Sequence, residues 1–215
     1  DARIPLRMHA DRHEARPVSV VTSRSRRLIG VAIAAPDSRA LHRHLDRASG
    51  TADLVELRMD LMPWLDLRTA LAELPCPAIV TVRPARQGGG FDGEERDRIA
   101  LLRDAVEFGA AAIDIEDNVL DQFPANGPAL RIGSFHDFDG MPWGFEARAQ
   151  AIAEAGLDVV KSVGTARTLA DLLVPLRYLR RSPVPAIAIA MGAAGAAGRL
   201  LCLREPSCFL TYATV

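Results

Sequence analysis

The sequence predicts an α/β fold, a (β/α)8 TIM barrel that lacks its last helix. Eight short apolar runs alternate with stretches of helical periodicity, which is typical of parallel βα units. Their spacing of roughly 20–30 residues favours a closed barrel, although 215 residues is near the lower limit for that fold. An open doubly wound sheet is the alternative, and it is less favoured because no GxGxxG motif follows the first run.

The predicted elements follow one another in regular order. The strands are expected at residues 28–35, 53–60, 78–83, 111–116, 129–138, 158–163, 186–191 and 208–213. Helices are expected at 38–48, 63–74, 93–108, 143–155 and 168–180, with a short helix after the seventh strand. Asp37 or Ser38 is expected to cap the first helix, because either side chain can accept a hydrogen bond from the first turn.

The predicted domain organisation is one catalytic domain with an N-terminal extension. Residues 28–215 form the barrel, which is either truncated at its C-terminus or covered there by something else, since the sequence reaches Val215 directly after the eighth strand. Residues 1–27 are rich in arginine and are expected to be a mobile basic extension, with 18–22 as a candidate short strand. They contain no apolar core of a signal peptide.

Composition excludes several classes of protein. The chain is 49% hydrophobic and 25% charged, with a net charge of -1, so no global field attracts it to nucleic acid or to an anionic membrane. It has no apolar run of about 18 residues that would cross a bilayer. Its three cysteines are odd in number and lack CxxC spacing, which indicates reduced thiols in a cytoplasmic protein.

Lysine is nearly absent from this sequence. Of the 26 lysine and arginine residues, Lys161 is the only lysine. A guanidinium remains protonated, whereas a buried lysine can lose its proton and act as a nucleophile. Lys161 lies in the sixth predicted strand, so its position favours a catalytic role over chance survival.

Ionisable residues stand near the ends of five successive predicted strands. Residues two apart share a face of a strand, which groups Glu56, Arg58 and Asp60, then Asp114 and Glu116, then Ser134 and His136. Burial of such groups costs roughly several kcal/mol each unless they are paired. Their concurrence at one end of the barrel therefore indicates an active site, although for Glu116 a structural ion pair is favoured.

These residue types suggest Schiff-base chemistry. Lys161 must be neutral to attack a ketone, and we expect burial and neighbouring arginines to lower its pKa. Arg58, Arg83 and Arg199 can also bind a carboxylate, and His136 can move protons near neutral pH. The histidines show no metal-ligand spacing, and the Gly88–Gly90 run lacks the GK[ST] sequence of a phosphate loop, so we expect no metal and no cofactor.

The segments VELRMD, TVRPARQGG, AAIDIE, SFHDF, DVVKSVGTART, IAMGAAG and FLTYAT, in this order, resemble type I 3-dehydroquinate dehydratase over about residues 28–215. The resemblance implies a homodimeric barrel that dehydrates 3-dehydroquinate to 3-dehydroshikimate in the route to aromatic compounds. It implies that Lys161 forms the imine and that His136 is the general acid and base. It further implies a substrate-binding set of Glu56, Arg58, Arg83 and Arg199, with Gln87, Asp114 and Asp60 in support.

Two departures from the family pattern stand out. The family usually has a glutamate that pairs with the catalytic histidine, and this chain has Gln87 at that position. We therefore expect a lowered pKa of His136 and a slower proton transfer. The family's substrate loop, with a serine and a glutamine, follows the eighth strand, and these residues are not in the sequence given.

Two other functions remain open from the sequence. Another Schiff-base barrel, such as a class I aldolase, would share the strand-six lysine but predicts the SFHDF segment and the arginines less well. A degenerate barrel retained for binding would need neither Lys161 nor His136.

Overall fold

The computed structural model describes residues 27–125 and 127–214, in which eight parallel strands form one sheet. The order is β7-β6-β5-β4-β3-β2-β1-β8, so β7 and β8 are its two edges. Ala186 of β7 forms a parallel bridge with Cys208, and the Phe209 amide donates to the Ala186 carbonyl at 2.8 Å. These contacts join the two edges into a nearly closed barrel, and the predicted fold class is confirmed. The strands are β1 (Leu28–Ile33), β2 (Leu54–Arg58), β3 (Ala78–Thr81), β4 (Ala112–Glu116), β5 (Leu130–His136), β6 (Val159–Thr165), β7 (Ala186–Met191) and β8 (Leu210–Ala213).

Helices lie between most of the strands and cover the outside of the barrel. They are α1 (Ser38–Ala48), α2 (Leu67–Glu73), α3 (Glu95–Glu107), α4 (Phe145–Glu154), α5 (Leu173–Arg181) and α6 (Gly198–Leu201). The described part of the β4–β5 connection contains only a 3-10 turn, Leu120–Gln122. Within the described ranges, every helix is too short or too polar to cross a lipid bilayer.

Local sequence explains where several elements begin. Helix α1 has the predicted bounds, and Asp37 is its cap, because the Asp37 carboxylate accepts from the Ala40 amide at 2.7 Å. The second helix was predicted from residue 63, but α2 begins at Leu67, because Asp66 caps it through the Thr69 amide at 2.8 Å.

Other predicted bounds were too long. Strand β2 ends at Arg58 and continues as the 3-10 turn Met59–Leu61 instead of reaching residue 60 as a strand. The predicted helix 168–180 begins as the 3-10 turn Leu169–Leu172, and only then does α5 follow. At the second of these turns the Asp171 carboxylate accepts from the Thr168 amide at 2.8 Å, and an apolar periodicity does not register such a cap.

The two faces of each strand have different partners. Outward side chains such as Phe135 pack against the helices, where the Phe135 and Phe145 rings meet edge to face at 5.5 Å. Gly133 of β5 allows α4 to come close, because a Cβ atom there would lie 2.4 Å from the side chain of Ile152. Inward side chains fill the barrel and carry the candidate site.

The predicted N-terminal extension lies outside the described residues, except for Arg27. The Arg27 side chain donates to the Glu205 carbonyl at 3.3 Å, just before the barrel begins at Leu28. The mobility of the extension and its candidate strand at residues 18–22 stay predictions.

Candidate active site

The barrel interior consists of an apolar floor and a polar layer above it. The floor is formed by Leu28, Leu54, Ile79, Ala112, Ile132, Val159, Ile187 and Leu210, one residue from each strand. Two residues further along, the same inward faces carry a buried polar layer of Glu56, Thr81, Asp114, Ser134, Lys161 and Tyr212. The polar layer is therefore nearer the carboxyl ends of the strands, where barrel enzymes have their active sites.

Lys161 stands in this layer with its ammonium group in contact with three side chains. Its Nζ is 2.9 Å from Oδ2 of Asp114, 3.2 Å from Oε2 of Glu56 and 3.1 Å from Oη of Tyr212. These partners come from β4, β2 and β8, so the lysine reaches across the barrel from β6. An ammonium has three N–H donors, and each finds an acceptor here.

The pKa of Lys161 is raised, which contradicts the sequence-based expectation. Burial by itself lowers it, but the carboxylates of Asp114 and Glu56 outweigh burial. Arg83, which is bound to Asp114, also lowers it, but less than the two carboxylates raise it. The lysine is therefore an ammonium in this structure, and a base has to remove a proton before it can act as a nucleophile.

Behind Lys161, a buried ion network continues towards α3. Arg83 places Nη2 2.7 Å from Oδ2 of Asp114, Nη1 2.6 Å from Oε1 of Glu116, and Nη1 2.9 Å from the Ser134 hydroxyl. The other oxygen of Glu116 is bound by Arg98, a fully buried residue of α3. Each buried charge in this network has a partner of opposite sign, which offsets the cost of its burial.

Both Arg83 and Glu116 belong to the buried ion network, although the sequence predicts a substrate-binding role only for Arg83. Arg83, predicted to bind substrate, is only 3% exposed and has both terminal nitrogens engaged by carboxylates. Glu116, interpreted as an ion-pair partner of arginines, has that arrangement here. Burial is the largest influence on Glu116 and raises the pKa of its carboxyl group despite Arg83.

Arg58 is nearer the mouth of the barrel and forms a two-point ion pair with Asp60. The Arg58 Nε and Nη2 atoms are 2.9 and 2.7 Å from the two carboxylate oxygens of Asp60. Asp60 also accepts from the Gly90 amide at 3.0 Å, which ties the β3 loop to the end of β2. Burial raises the pKa of Asp60, but the bonds from Arg58 and Gly90 outweigh burial and hold it below its ordinary value. The Arg58 side chain remains 22% exposed, so it can reach a ligand at the mouth.

His136 stands one step above Lys161 on the neighbouring strand. The register of β5 and β6 pairs Ser134 with Lys161 and His136 with Val163. The Nδ1 atom of His136 is 3.3 Å from Oε1 of Gln87, as the sequence predicted for this pair. The pKa of His136 is well below its usual value, first because of partial burial and then because of Arg83 and Lys161. The direction agrees with the expectation, and His136 is neutral at physiological pH.

The loop that carries Gln87 packs closely against the end of β5. Gly88 has a φ of +73°, and a Cβ atom there would lie 2.3 Å from the ring of Phe138. This contact explains a glycine directly after Gln87, because a side chain would displace the aromatic ring beside His136.

Arg199 comes from the connection between β7 and β8. It is half-buried on α6, and its Nη1 donates to the Tyr212 carbonyl at 3.3 Å. This bond places Arg199 at the carboxyl end of β8, beside the mouth.

Sequence reasoning missed three residues of the site. Tyr212 bonds to both Lys161 and Glu56, and the Thr81 hydroxyl donates to the other oxygen of Glu56 at 2.8 Å. Both lie two residues from an inward apolar side chain, so the rule of alternating faces, applied to β3 and β8, would have found them. Arg98 carries no such signal, because nothing local distinguishes it from the other arginines of α3.

The fold and this polar layer define a barrel protein with a single buried lysine between carboxylates at the carboxyl ends of its strands. Among the described residues, no group of three His, Cys, Asp or Glu side chains is arranged to hold a metal ion. A family model for type I 3-dehydroquinase matches residues 29–215. The chain therefore belongs to the type I 3-dehydroquinase family.

Individual relatives agree with this membership. The chain is 34% identical over 179 residues to a bifunctional 3-dehydroquinate dehydratase/shikimate dehydrogenase of Arabidopsis thaliana, covering 76% of this chain and 29% of that protein. It is 37% identical to a 3-dehydroquinate dehydratase of Methanothrix thermoacetophila, with 67% of this chain and 65% of the relative covered. The chain thus spans less than two thirds of the length of these two relatives.

Solved structures show the same fold. The structure of type I 3-dehydroquinate dehydratase from Clostridium difficile superposes with a TM-score of 0.78 at 22% identity, over 88% of this chain and 84% of that chain. The 3-dehydroquinate dehydratase from Geobacillus kaustophilus gives a TM-score of 0.75 at 24% identity, over 88% and 83% of the two chains.

Proposed function

We propose that this chain catalyses the dehydration of 3-dehydroquinate to 3-dehydroshikimate through a Schiff base on Lys161. The observation that carries the proposal is the Lys161 ammonium, buried in the barrel between Asp114 and Glu56, with His136 one step nearer the mouth. Family membership supports this substrate, since the relatives are named for the same reaction.

The reaction begins with loss of a proton from Lys161. The neutral amine attacks the substrate ketone to give a carbinolamine, which loses water to form a protonated imine. The imine withdraws electrons from the adjacent carbon, so the C–H bond there becomes acidic. Removal of that proton, followed by departure of the neighbouring hydroxyl as water, creates the C=C bond, and a second water molecule hydrolyses the imine to release the enone.

The carboxylates beside Lys161 suit the charge of this intermediate. Asp114 and Glu56 hold the free lysine as an ammonium, which slows the first attack. A protonated imine carries the same charge at the same nitrogen, so the same carboxylates stabilise it. The site therefore stabilises the protonated imine, although it lowers the fraction of Lys161 that is a neutral amine.

His136 is the candidate general acid and base. Its lowered pKa leaves the imidazole neutral and able to take the proton next to the imine. The same group can then return a proton to the leaving hydroxyl. Oε1 of Gln87 accepts from Nδ1 of His136 without adding charge, so the imidazolium formed during the reaction has no carboxylate partner at that atom.

The arginines at the mouth are suited to an anionic substrate. Arg58 is partly exposed with its orientation set by Asp60, and Arg199 is half-buried beside β8. We propose that they hold the carboxylate and hydroxyl groups of 3-dehydroquinate, together with Glu56. Arg83 is buried below the substrate site and orients Asp114 through their ion pair.

The test combines a covalent trap with a product assay. With 3-dehydroquinate and borohydride, mass spectrometry should find the reduced adduct on Lys161, and ultraviolet absorbance of the conjugated enone should rise without borohydride. Lys161→Ala should lose both the adduct and at least about 10³-fold in kcat. An adduct with another keto substrate, without enone formation from 3-dehydroquinate, would indicate an aldolase-type barrel. Turnover unaffected by Lys161→Ala would refute the proposal.

The oligomeric state and the cellular location are further parts of this proposal. We propose a homodimer that works in the cytoplasm. Light scattering of the purified chain and fractionation of its host cells test these two statements.

A further inference from the structure

Tyr212 lies between the two groups that must exchange a proton before Lys161 can react. Its Oη is 3.1 Å from Lys161 Nζ, and its hydroxyl donates a hydrogen bond to Oε2 of Glu56. The residue is 9% exposed, and its ring also lies 4.9 Å from Lys161 Nζ. The proposed reaction assigns no task to this hydroxyl.

The two carboxylates beside Lys161 differ as proton acceptors. Asp114 is bound by Arg83 at 2.7 Å and keeps that cation when Lys161 becomes neutral. Among the described residues, Glu56 has hydrogen bonds only from Lys161 and from the neutral hydroxyls of Thr81 and Tyr212. Once the lysine loses its charge, Glu56 is the more basic of the two.

We propose that Tyr212 relays the proton from Lys161 to Glu56 and so generates the neutral amine that forms the imine. In this step an ammonium proton moves to Tyr212 Oη while the proton of Tyr212 moves to Glu56 Oε2. The products are a neutral amine, an unchanged phenol and a protonated carboxyl group, so charge and atoms balance and no electrons change hands. The inference rests on the proposed Schiff-base function.

The relay competes with direct transfer over 3.2 Å from Lys161 to Glu56. In the relay, Tyr212 is both acceptor and donor, and its phenol stays protonated because burial, followed by Glu56, raises its pKa. The relay, like direct transfer, requires no reorientation of the lysine, and its first step runs over the shorter of the two hydrogen bonds, 3.1 Å from Lys161 Nζ to Tyr212 Oη.

Thr81 provides a matched control, because its hydroxyl donates to the other oxygen of Glu56 at 2.8 Å, whereas the hydrogen bonds of Lys161 within the described residues go to Glu56, Asp114 and Tyr212. Tyr212→Phe and Thr81→Val each remove one hydroxyl from the same carboxylate and keep side-chain volume nearly constant. A role that only orients Glu56 predicts similar effects for both variants, whereas the relay predicts a larger effect for Tyr212→Phe.

The experiment measures the rate of imine formation in a single turnover, by quenching with borohydride and quantifying adduct on Lys161 at several pH values. We expect Tyr212→Phe to slow adduct formation at least about tenfold at neutral pH, and Thr81→Val no more than about threefold. The deficit of Tyr212→Phe should shrink at high pH, where hydroxide replaces the relay, and KM should change less than kcat.

The outcomes separate the two proposals. If the wild-type chain gives no adduct with 3-dehydroquinate, both the Schiff-base function and the relay are wrong. If the wild type gives the adduct but Tyr212→Phe forms it as fast as Thr81→Val, the relay alone is overturned. Circular dichroism of both variants verifies that they fold.

Discussion

One oxygen of Asp114, Oδ2, lies 2.9 Å from the Lys161 ammonium and is shared with the guanidinium of Arg83 at 2.7 Å. Burial alone would raise the pKa of the Asp114 carboxyl group, but Arg83 and Lys161 hold it well below its ordinary range. Asp114 is thus a permanent anion, and the free energy of folding depends on the cations around it.

Lys161→Met should destabilise the fold as well as abolish imine formation. It leaves Asp114 and Glu56 without one of their cations in a buried layer, so we expect unfolding in urea to show a loss of about 3–5 kcal/mol at neutral pH. The unpaired carboxyl of Glu56 then has a raised folded-state pKa, so the loss should be smaller at pH 5 and grow as pH rises.

The double variant Lys161→Met/Glu56→Gln is the control for this effect. Removing the charge of Glu56 should recover part of the stability at neutral pH and flatten its pH dependence. Equal stability of the single and double variants would contradict the electrostatic explanation.

Gln87→Glu should raise the pKa of His136. Burial, Arg83 and Lys161 now hold that pKa low, so the neutral base persists to low pH. A carboxylate 3.3 Å from Nδ1 would favour the imidazolium, and the acid limb of the kcat/KM profile should move up by about one pH unit or more. The rate on the plateau should rise, because the imidazolium formed during proton transfer gains a partner.

Gln87→Met removes the amide acceptor without adding charge and should not move the acid limb upward. The prediction for position 87 is wrong if Gln87→Glu has the same pH profile and rate as the wild type.

The sequence predicted the eight-stranded barrel, and it predicted which side chains share a face of a strand, because alternation within a strand is a local property. The roles assigned to the site residues stay predictions. The sequence could not predict which charges pair, because Lys161 meets Glu56 across the barrel and Arg98 reaches Glu116 from a helix. The expected pKa of Lys161 was wrong in direction for the same reason. The sequence indicated arginines near the lysine, but not that Asp114 and Glu56 contact its ammonium group. Strand and helix ends were misplaced where side chains such as Asp66 cap the backbone.

Arg98→Met should cost more stability than Glu95→Gln, although both disrupt ion pairs of Arg98. Arg98 is fully buried and binds Glu116, so its loss leaves a buried carboxylate with Arg83 alone, at about 3 kcal/mol or more in urea unfolding. The Glu95 side chain is 35% exposed, and its pair with Arg98 should contribute about 1 kcal/mol or less. Similar losses for the two variants would contradict the role given to burial.

The contribution of Glu95 should also depend on pH. The hydrogen bond from Arg98 lowers the pKa of Glu95 to about 2, from an ordinary value near 4.5. Because the folded pKa is depressed, the stabilisation is present above pH 4.5 and is lost as pH falls towards 2. The stability difference between wild type and Glu95→Gln should therefore disappear over that interval.

Asp60→Asn should weaken substrate binding without removing any group from the reacting centre. The carboxylate of Asp60 orients Arg58 through two bonds and accepts from Gly90, so it couples the arginine to the β3 loop. An asparagine can keep one acceptor but loses the charge and half of the two-point contact. We expect KM for 3-dehydroquinate to rise about tenfold, which corresponds to about 1.4 kcal/mol, with kcat changed less.

Asp66→Asn is the matched control, because that carboxylate caps α2 and asparagine caps nearly as well. A larger change in KM for Asp66→Asn than for Asp60→Asn, or a loss of kcat alone at position 60, would show that Arg58 does not need Asp60 to hold the substrate.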